Sequence, residues 1–209
     1  MMTLSSEFEL NVAKLEKLIV ETKAFRYSPN KPFQLASGRV SPYYFDLKKL
    51  NGHPEGLHTV AKVFYHIIKG MKGVTSVGGL ESGSISIASA ISQLSFLEYK
   101  KDPTNPLINS FYVRKKAKEY GSGKQIEGII ESPIVVVDDV ITSGDSAIKA
   151  VNVVKNENYE CKCLISIIFR GTPENKEKIE NVSKFEYIFT EAELVEKFTK
   201  DKSVIEQIA

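Results

Sequence analysis

The second half of the chain alternates short apolar runs with helical stretches, and this alternation limits the possible folds more than any other feature. Ile134–Val137 is short and fully apolar, as expected for a strand that is buried on both faces of a parallel sheet. A helical pattern over Ser146–Lys155 follows it, and the apolar run Cys161–Phe169 comes next. Strands that alternate with helices imply right-handed βαβ units. The expected fold class is therefore α/β, with a mostly parallel central sheet flanked by helices.

Further elements are predicted on both sides of these units. Helices are predicted for Ser5–Phe25, Pro54–Lys69, Ser82–Leu97, Pro173–Glu180 and the C-terminus, strands for Val74–Val77, Leu107–Val113 and Phe185–Phe189, and a β-hairpin for Phe33–Leu35 with Val40–Leu47. Arg114–Gly128 has no apolar periodicity, which predicts a long mobile loop. Because ligands of parallel sheets bind beyond the carboxyl ends of the strands, functional residues are expected in the loops that follow those ends.

Composition and charge limit the classes of function. The 209 residues allow one domain with a sizeable core and a small appended subdomain. The 28 basic and 26 acidic side chains nearly cancel, so charge gives no ground for a nucleic-acid or membrane partner. The sequence has no signal-peptide pattern and no stretch long enough to span a bilayer, so a reducing cytoplasm is expected. Cys161 and Cys163 are then expected to be buried free thiols.

The run Ile134–Val137 leads directly into two acids and a polar turn. Asp138 and Asp139 follow it, and after two more apolar residues the segment Thr142–Ser146 opens a helix. Free backbone N–H groups at the start of a helix can hold a phosphate. Gly144 lets the backbone approach such a group closely. The expected phosphate-binding residues are Thr142, Ser143, Gly144, Asp145 and Ser146. Ionised carboxylates suit ribose hydroxyls, so the motif predicts a site for a ribose 5-phosphate.

A simpler interpretation of the same residues is a strand that ends in two acids, followed by an ordinary helix cap. The complete arrangement is more specific than a cap, and it resembles the PRPP-binding motif of the type I phosphoribosyltransferases, where PRPP is 5-phosphoribosyl 1-diphosphate. The resemblance implies the type I phosphoribosyltransferase fold. It also implies Mg²⁺ as cofactor, bound mainly through PRPP and not by a cage of protein ligands.

A basic segment after the predicted strand Leu107–Val113 narrows the resemblance. Arg114, Lys115, Lys116 and Lys118 place four cations within five positions. Most runs of this kind are solvated loops, but a lid over a diphosphate also needs such charge. The segment resembles the catalytic loop of orotate phosphoribosyltransferase. That resemblance implies diphosphate binding by Arg114 and Lys115, a catalytic role for Lys118, and a lid at 114–128 that reaches the partner subunit of a homodimer.

The predicted hairpin and one arginine agree with the same family. Phe33–Asp46 contains Ser-Gly-Arg followed by Ser-Pro-Tyr and two aromatic residues, which resembles the family's N-terminal hairpin. The resemblance implies that Tyr44 and Phe45 flank the pyrimidine ring, although an aromatic hairpin that packs on a core is also common.

Arg170 matches the family arginine that faces orotate, a role suited to a guanidinium fork.

The resemblance covers most of the chain, about Phe33 to Arg170 by motif and the rest by size and element order, and it implies an enzyme. The implied reaction transfers the phosphoribosyl group of PRPP to orotate in de novo pyrimidine nucleotide synthesis. Asp138 and Asp139 join Lys118 as the implied catalytic residues. The implied organisation is an N-terminal hood at 1–50, made of a helix and the hairpin, and a PRPP-binding core at 51–209.

Four positions depart from the family pattern. They are Ala36 before Ser-Gly-Arg, Ser82 in the loop after Val77, Tyr120 two residues after Lys118, and Phe169 in place of an acid. Two alternatives to orotate transfer follow from these departures. One is a phosphoribosyltransferase for another base, such as a purine, and the other is a regulatory PRPP-binding protein with weakened catalysis. A nucleic-acid-binding role for the basic loop is the weakest candidate, because no aromatic platform is interleaved with the cations.

Overall fold

The chain folds into two compact units. The computed structural model describes residues 4–34, 40–116, 124–201 and 204. The first unit comprises Met1–Val60 with Phe189–Ala209, and the second comprises Ala61–Ile188. The second unit holds most of the sheet and therefore most of the predicted site.

Helices and strands alternate along most of the described residues. The helices are α1 (Leu4–Glu21), α2 (Leu47–Gly52), α3 (Pro54–Lys69), α4 (Gly83–Lys101), α5 (Asp145–Asn156), α6 (Pro173–Glu180) and α7 (Glu191–Lys200). The strands are β1 (Phe25–Tyr27), β2 (Phe33–Gln34), β3 (Val40–Ser41), β4 (Tyr43–Phe45), β5 (Ser76–Gly78), β6 (Asn109–Val113), β7 (Ile126–Gly128), β8 (Ile134–Ile141), β9 (Cys161–Phe169) and β10 (Phe185–Thr190).

A six-stranded sheet forms the centre of the fold, with the order β10-β9-β8-β5-β6-β7. β8 pairs in parallel with β5 on one side and with β9 on the other, and β5 also pairs in parallel with β6. β7 adds an antiparallel edge to β6. The predicted α/β class with a mostly parallel sheet is thus confirmed, and the crossovers between parallel strands contain helices.

The core of the second unit lies around β8 and β9. Ile134, Val135, Val136 and Val137 are all fully buried, which fits a central parallel strand covered on both faces. Leu164 on β9 and Val151 on α5 belong to the same hydrophobic cluster as Val136. Burial of this apolar surface is the main favourable contribution to the stability of the unit.

Aromatic side chains form the centre of the first unit. The ring of Phe25 on β1 lies 4.9 Å from that of Phe45 on β4 and 5.1 Å from that of Phe198 on α7, measured between centroids. β1 and β4 pair in antiparallel fashion, with Phe25 opposite Phe45. The N-terminal strands and the C-terminal helix therefore share one small core.

Several predicted elements differ from the observed ones in ways that have a local cause. Phe25, predicted at the end of α1, lies in β1, because the helix ends at Glu21. The predicted hairpin strand Val40–Leu47 is broken at Pro42, which has no N–H to donate to a ladder. Its first part pairs with β2, as predicted, and its second part pairs with β1.

Two corrections concern the predicted site. The loop predicted for Arg114–Gly128 ends in strand β7, where Ile126 pairs with Val113. β8 extends four residues beyond the predicted Val137, to Ile141, because β9 is long enough to pair with it up to Phe169. Asp138 and Asp139 thus lie within a strand and not after one.

Two predictions from composition can be compared with the described residues. Cys161 and Cys163 are free thiols, but only Cys163 is buried, while Cys161 is half-buried. Burial raises the pKa of the Cys163 thiol to about 12, so this sulfur stays protonated at neutral pH. No helix within the described part of the chain is long and apolar enough to cross a membrane.

We expect the β8–β9 core to dominate the stability of the second unit. Leu164→Ala removes a fully buried side chain and should lower the free energy of unfolding by about 2–5 kcal/mol, measured by urea denaturation. Leu97→Ala is the matched control, because Leu97 is 48% exposed on α4. Equal losses in both variants would contradict this account of the core.

Candidate active site

The two acids of the motif lie at the carboxyl end of β8. Asp138 pairs with Ser166 of β9 in the sheet register. The N–H of Asp139 donates to Oδ1 of Asp138 at 2.9 Å, and the N–H of Val140 donates to Oδ1 of Asp139 at 2.7 Å. Local backbone donors therefore orient both carboxylates.

The start of α4 approaches both carboxylates closely. A Cβ atom at Gly83 would lie 3.1 Å from Oδ1 of Asp138 and 3.2 Å from Oδ1 of Asp139. Gly83 is the first residue of α4, so the positive end of a helix dipole faces two acids. The neighbouring Gly79 is equally constrained, since its Cβ would meet the carbonyl oxygen of Val137 at 2.3 Å. The loop between β5 and α4 therefore needs small residues at these two positions.

The Asp138 carboxyl is costly to ionise. Burial of the Asp138 carboxyl, together with the nearby charge of Asp139, raises the pKa of Asp138 to about 8. A carboxyl that is costly to ionise in the empty protein becomes an acceptor when hydroxyl donors or cations approach it. The pair therefore suits a ligand that brings hydroxyl groups, such as a ribose.

The polar turn after β8 opens helix α5, as the sequence predicts. Gly144 has φ of +82° and its Cβ would lie 2.4 Å from Cγ1 of Ile179, so both conformation and packing require glycine here. Thr142 and Ser146 are exposed, while Ser143 is half-buried. The hydroxyl of Ser143 donates to Oδ2 of Asp145 at 2.6 Å, and thus contacts an acid within the loop.

Arg170 lies beside this turn because the backbone places it there. Its N–H donates to the carbonyl oxygen of Ile141 at 2.9 Å, directly after the pairing of Ile141 with Phe169. A Cβ at the next residue, Gly171, would lie 2.4 Å from the carbonyl oxygen of Thr142. The end of β9 is therefore held in contact with the loop Thr142–Ser146.

Arg114 and Lys115 begin the basic segment after β6. The N–H and carbonyl groups of Arg114 both bond to Gln125, and its guanidinium lies 3.8 Å from Glu127. The N–H of Lys115 donates to Oε1 of Glu81 at 2.7 Å. Nζ of Lys149, on α5, donates to the carbonyl oxygen of Lys115 at 2.6 Å. The backbone of Lys115 is thereby linked to the loop after β5 and to α5.

Among the described residues, several charged side chains that sequence reasoning missed contact predicted site residues. Glu81 and Lys149 hold Lys115, and Lys178 of α6 lies 2.5 Å from Asp145. Glu81 could have been noticed, because it lies in a loop that the βα pattern assigns to the ligand-binding edge. Nothing in the sequence pattern distinguishes Lys149 or Lys178 from other surface lysines.

The other predicted site residues belong to the first unit or lie outside the described residues. Tyr44 and Phe45 belong to the first unit, where Phe45 is buried against Phe25 and Tyr44 is exposed, with its ring 5.8 Å from that of Phe33. Lys118, Ala36 and Tyr120 lie outside the described residues. Within the second unit, the structure brings together Asp138, Asp139, the loop Thr142–Ser146 and Arg170.

Comparison with known proteins identifies similar transferases. No protein-family model matches the chain. An orotate phosphoribosyltransferase of Rhodopseudomonas palustris (strain TIE-1) is 39% identical over 158 residues, which cover 73% of this chain and 79% of the relative. The orotate phosphoribosyltransferase of Mycobacterium tuberculosis H37Rv, solved in complex with Fe(III) dicitrate, matches with a TM-score of 0.69 at 26% identity, covering 88% of this chain and 98% of that chain. Its complex with PRPP matches with a TM-score of 0.67 at 24% identity, covering 88% and 99%. The type I phosphoribosyltransferase fold is thus confirmed.

The raised pKa of Asp138 predicts how stability depends on pH. Because this pKa is raised from 3.8 to about 8 on folding, the protonated carboxyl stabilises the fold at low pH, and this stability is lost as pH rises through about 8. Asp138→Asn mimics the neutral acid. At pH 8 the free energy of unfolding of this variant should exceed that of the parent by about 1–3 kcal/mol. The gain should disappear at pH 4 in urea denaturation.

Asp145→Asn is the matched control for that measurement. The ion pair with Lys178 and the hydrogen bond from Ser143 lower the pKa of Asp145, so its carboxylate favours the folded state at neutral pH. Asp145→Asn should therefore give no gain in stability as pH rises. A gain at pH 8 for Asp145→Asn equal to that of Asp138→Asn would contradict the assignment to the Asp138 carboxyl.

Proposed function

The chain belongs to the orotate phosphoribosyltransferase family, and on that premise we propose that it transfers the 5-phosphoribosyl group from PRPP to orotate. The products are orotidine 5'-phosphate and diphosphate, and the reaction serves de novo pyrimidine nucleotide synthesis. The observation that carries this proposal is the meeting of three features at one sheet edge. These are the paired acids of β8, the glycine turn that opens α5, and Arg170 at the end of β9.

The ribose phosphate of PRPP fits the residues at the end of β8. Asp138 and Asp139 accept hydrogen bonds from the 2- and 3-hydroxyls of the ribose. The 5-phosphate lies in the loop Thr142–Ser146, against the free N–H groups of α5. The left-handed conformation of Gly144 supports this role, because it turns the chain sharply at the helix start. The acid pair and the anion site together fix the sugar at both ends.

The diphosphate is the leaving group, and basic residues stabilise its charge. Arg114 and Lys115 bind the diphosphate, and Lys118 neutralises the charge that develops as the bond to the anomeric carbon breaks. A ring nitrogen of orotate attacks that cation-like carbon from the opposite face. The basic segment between β6 and β7 acts as a lid that excludes water, which would otherwise hydrolyse the activated sugar. The assignment of Lys118 rests on the family resemblance alone.

Mg²⁺ is the proposed cofactor and arrives with PRPP. The two carboxylates next to Gly83 leave the site rich in oxygen ligands, the type that Mg²⁺ prefers. When bound, the ion would neutralise negative charge on the diphosphate, and Asp138 and Asp139 would be the protein carboxylates nearest to it. The protein side chains hold the sugar and the phosphates, and the cation is held mainly by the substrate.

Arg170 is the proposed contact of orotate. A guanidinium can donate two parallel hydrogen bonds to a carboxylate or to adjacent oxygens. The backbone bond from Arg170 to Ile141 fixes its position next to the phosphoribosyl site. We further propose a homodimer with a lid shared across subunits, and a cytoplasmic location.

The first test measures the consumption of orotate. The ultraviolet absorbance of orotate is recorded after addition of PRPP and Mg²⁺. Lys118→Ala should lower kcat by about 100-fold or more while PRPP affinity changes little, because the side chain acts mainly on the leaving group in the transition state. Lys116→Ala is the control, since this neighbouring lysine matches no family position. No orotate consumption by a parent protein that binds PRPP tightly would refute the transferase assignment.

Recognition of the base is tested at Arg170. Arg170→Lys keeps the charge but loses the planar fork, so KM for orotate should rise roughly 10- to 100-fold. The affinity for PRPP, measured by calorimetry without orotate, should stay unchanged. Adenine, hypoxanthine and uracil serve as competing acceptors in the same assay. If the parent protein prefers a purine base, the orotate assignment is rejected in favour of a phosphoribosyltransferase for another base.

A further inference from the structure

The phosphate-binding loop contains one acid, and a lysine from a distant part of the sequence holds it. Nζ of Lys178, on α6, lies 2.5 Å from Oδ1 of Asp145. The hydroxyl of Ser143 donates to the other oxygen, Oδ2, at 2.6 Å. Lys178 on α6 therefore binds one carboxylate oxygen of Asp145, and Ser143 within the loop binds the other.

Backbone and apolar contacts keep α6 against this loop. A Cβ on Gly144 would lie 2.4 Å from Cγ1 of Ile179, the residue next to Lys178. A Cβ on Gly171, shortly before α6, would likewise lie 2.4 Å from the carbonyl oxygen of Thr142. A capping box at Thr172 fixes the start of the helix. The position of Lys178 is thus set by packing and does not depend on the ion pair itself.

An acid in this loop conflicts with the proposed ligand. The 5-phosphate of PRPP carries negative charge, and Asp145 is the first residue of the helix whose N–H groups would bind it. A free carboxylate there repels the phosphate and competes for the same donors, including the Ser143 hydroxyl. The conflict is removed only if another group takes up the charge and the acceptor capacity of Asp145.

We propose that Lys178 is a positioning residue of the 5-phosphate site, which acts through Asp145. By pairing with Asp145, Lys178 cancels its charge and draws the carboxylate toward α6, so that the N–H groups of α5 remain available to the phosphate. This inference rests on the proposed function, because it takes PRPP as the ligand of the loop. It assigns a binding role to α6, which no motif of the sequence indicates.

The exposure of the pair separates a binding role from a structural one. The side chain of Lys178 is 50% exposed and that of Asp145 is 70% exposed. Exposed ion pairs contribute little to stability, so the loss of Lys178 should leave thermal unfolding nearly unchanged. Lys178 is also the main cause of the lowered pKa of Asp145, so the pair favours the charged carboxylate.

The test is a double-mutant cycle on the affinity for PRPP, measured by calorimetry without orotate. Lys178→Met should weaken PRPP binding about tenfold, because it uncovers a carboxylate beside the phosphate. In the Asp145→Asn background the same change should cost less than about twofold. Lys178→Arg should keep near-parental affinity. In the orotate assay, Lys178→Met should raise KM for PRPP while kcat changes little.

The matched control is Lys184→Met. Lys184 forms an ion pair of the same length with Glu186, 2.5 Å, but its carbonyl bonds to Leu164, several residues before the ligand end of β9. PRPP affinity should not change in this variant. Thermal unfolding of every variant shows whether the fold is intact.

Each other outcome would overturn a specific claim. Equal loss of affinity with and without Asp145 would show that Lys178 acts on the phosphate directly or through the fold, and would reject the positioning role. No loss in Lys178→Met would reject it as well. Failure of the parent protein to bind PRPP would instead reject the proposed function, and the inference would fall with it.

Discussion

The pairing of β8 with parallel strands on both sides is the constraint on which the rest of the structure depends. β5 and β9 pair with β8 on its two sides and satisfy its backbone hydrogen-bonding groups. Where helices cover both faces of such a strand, its side chains must be apolar. The long partner β9 then continues the pairing to Ile141. Without that continuation, Asp138 and Asp139 would lie in a loop with no fixed orientation.

Close backbone approach turns this strand end into a binding site. Gly83 brings the start of α4 against both carboxylates, and Gly144 lets Ile179 of α6 pack under the phosphate loop. A side chain at Gly144 would clash with Ile179, and one at Gly83 would crowd both carboxylates. The close approach brings the N–H groups and charges of the two helices near one ligand. The Asp138 carboxyl is costly to ionise in this environment. Hydrogen bonds from ligand hydroxyls can offset that cost.

Charged contacts link the parts of the site that bind different portions of the proposed substrate. Lys149 on α5 and Glu81 after β5 both bond to the backbone of Lys115, where the proposed diphosphate lid begins. Lys178 connects α6, which follows Arg170, to the loop of the 5-phosphate. The elements proposed to contact the sugar phosphate, the diphosphate and the base are thereby joined through a few exposed side chains.

The sequence by itself determined the fold class, the acid pair with its phosphate loop, and the family. Runs such as Ile134–Val137 specify buried parallel strands through local composition, and the strand Cys161–Phe169 was predicted at its observed bounds. Only the tertiary structure decided the strand Ile126–Gly128, the length of β8 and the contact of Lys178 with Asp145. These depend on partners far away in the chain, and local periodicity carries no information about which distant strand or helix supplies the matching donor, acceptor or charge.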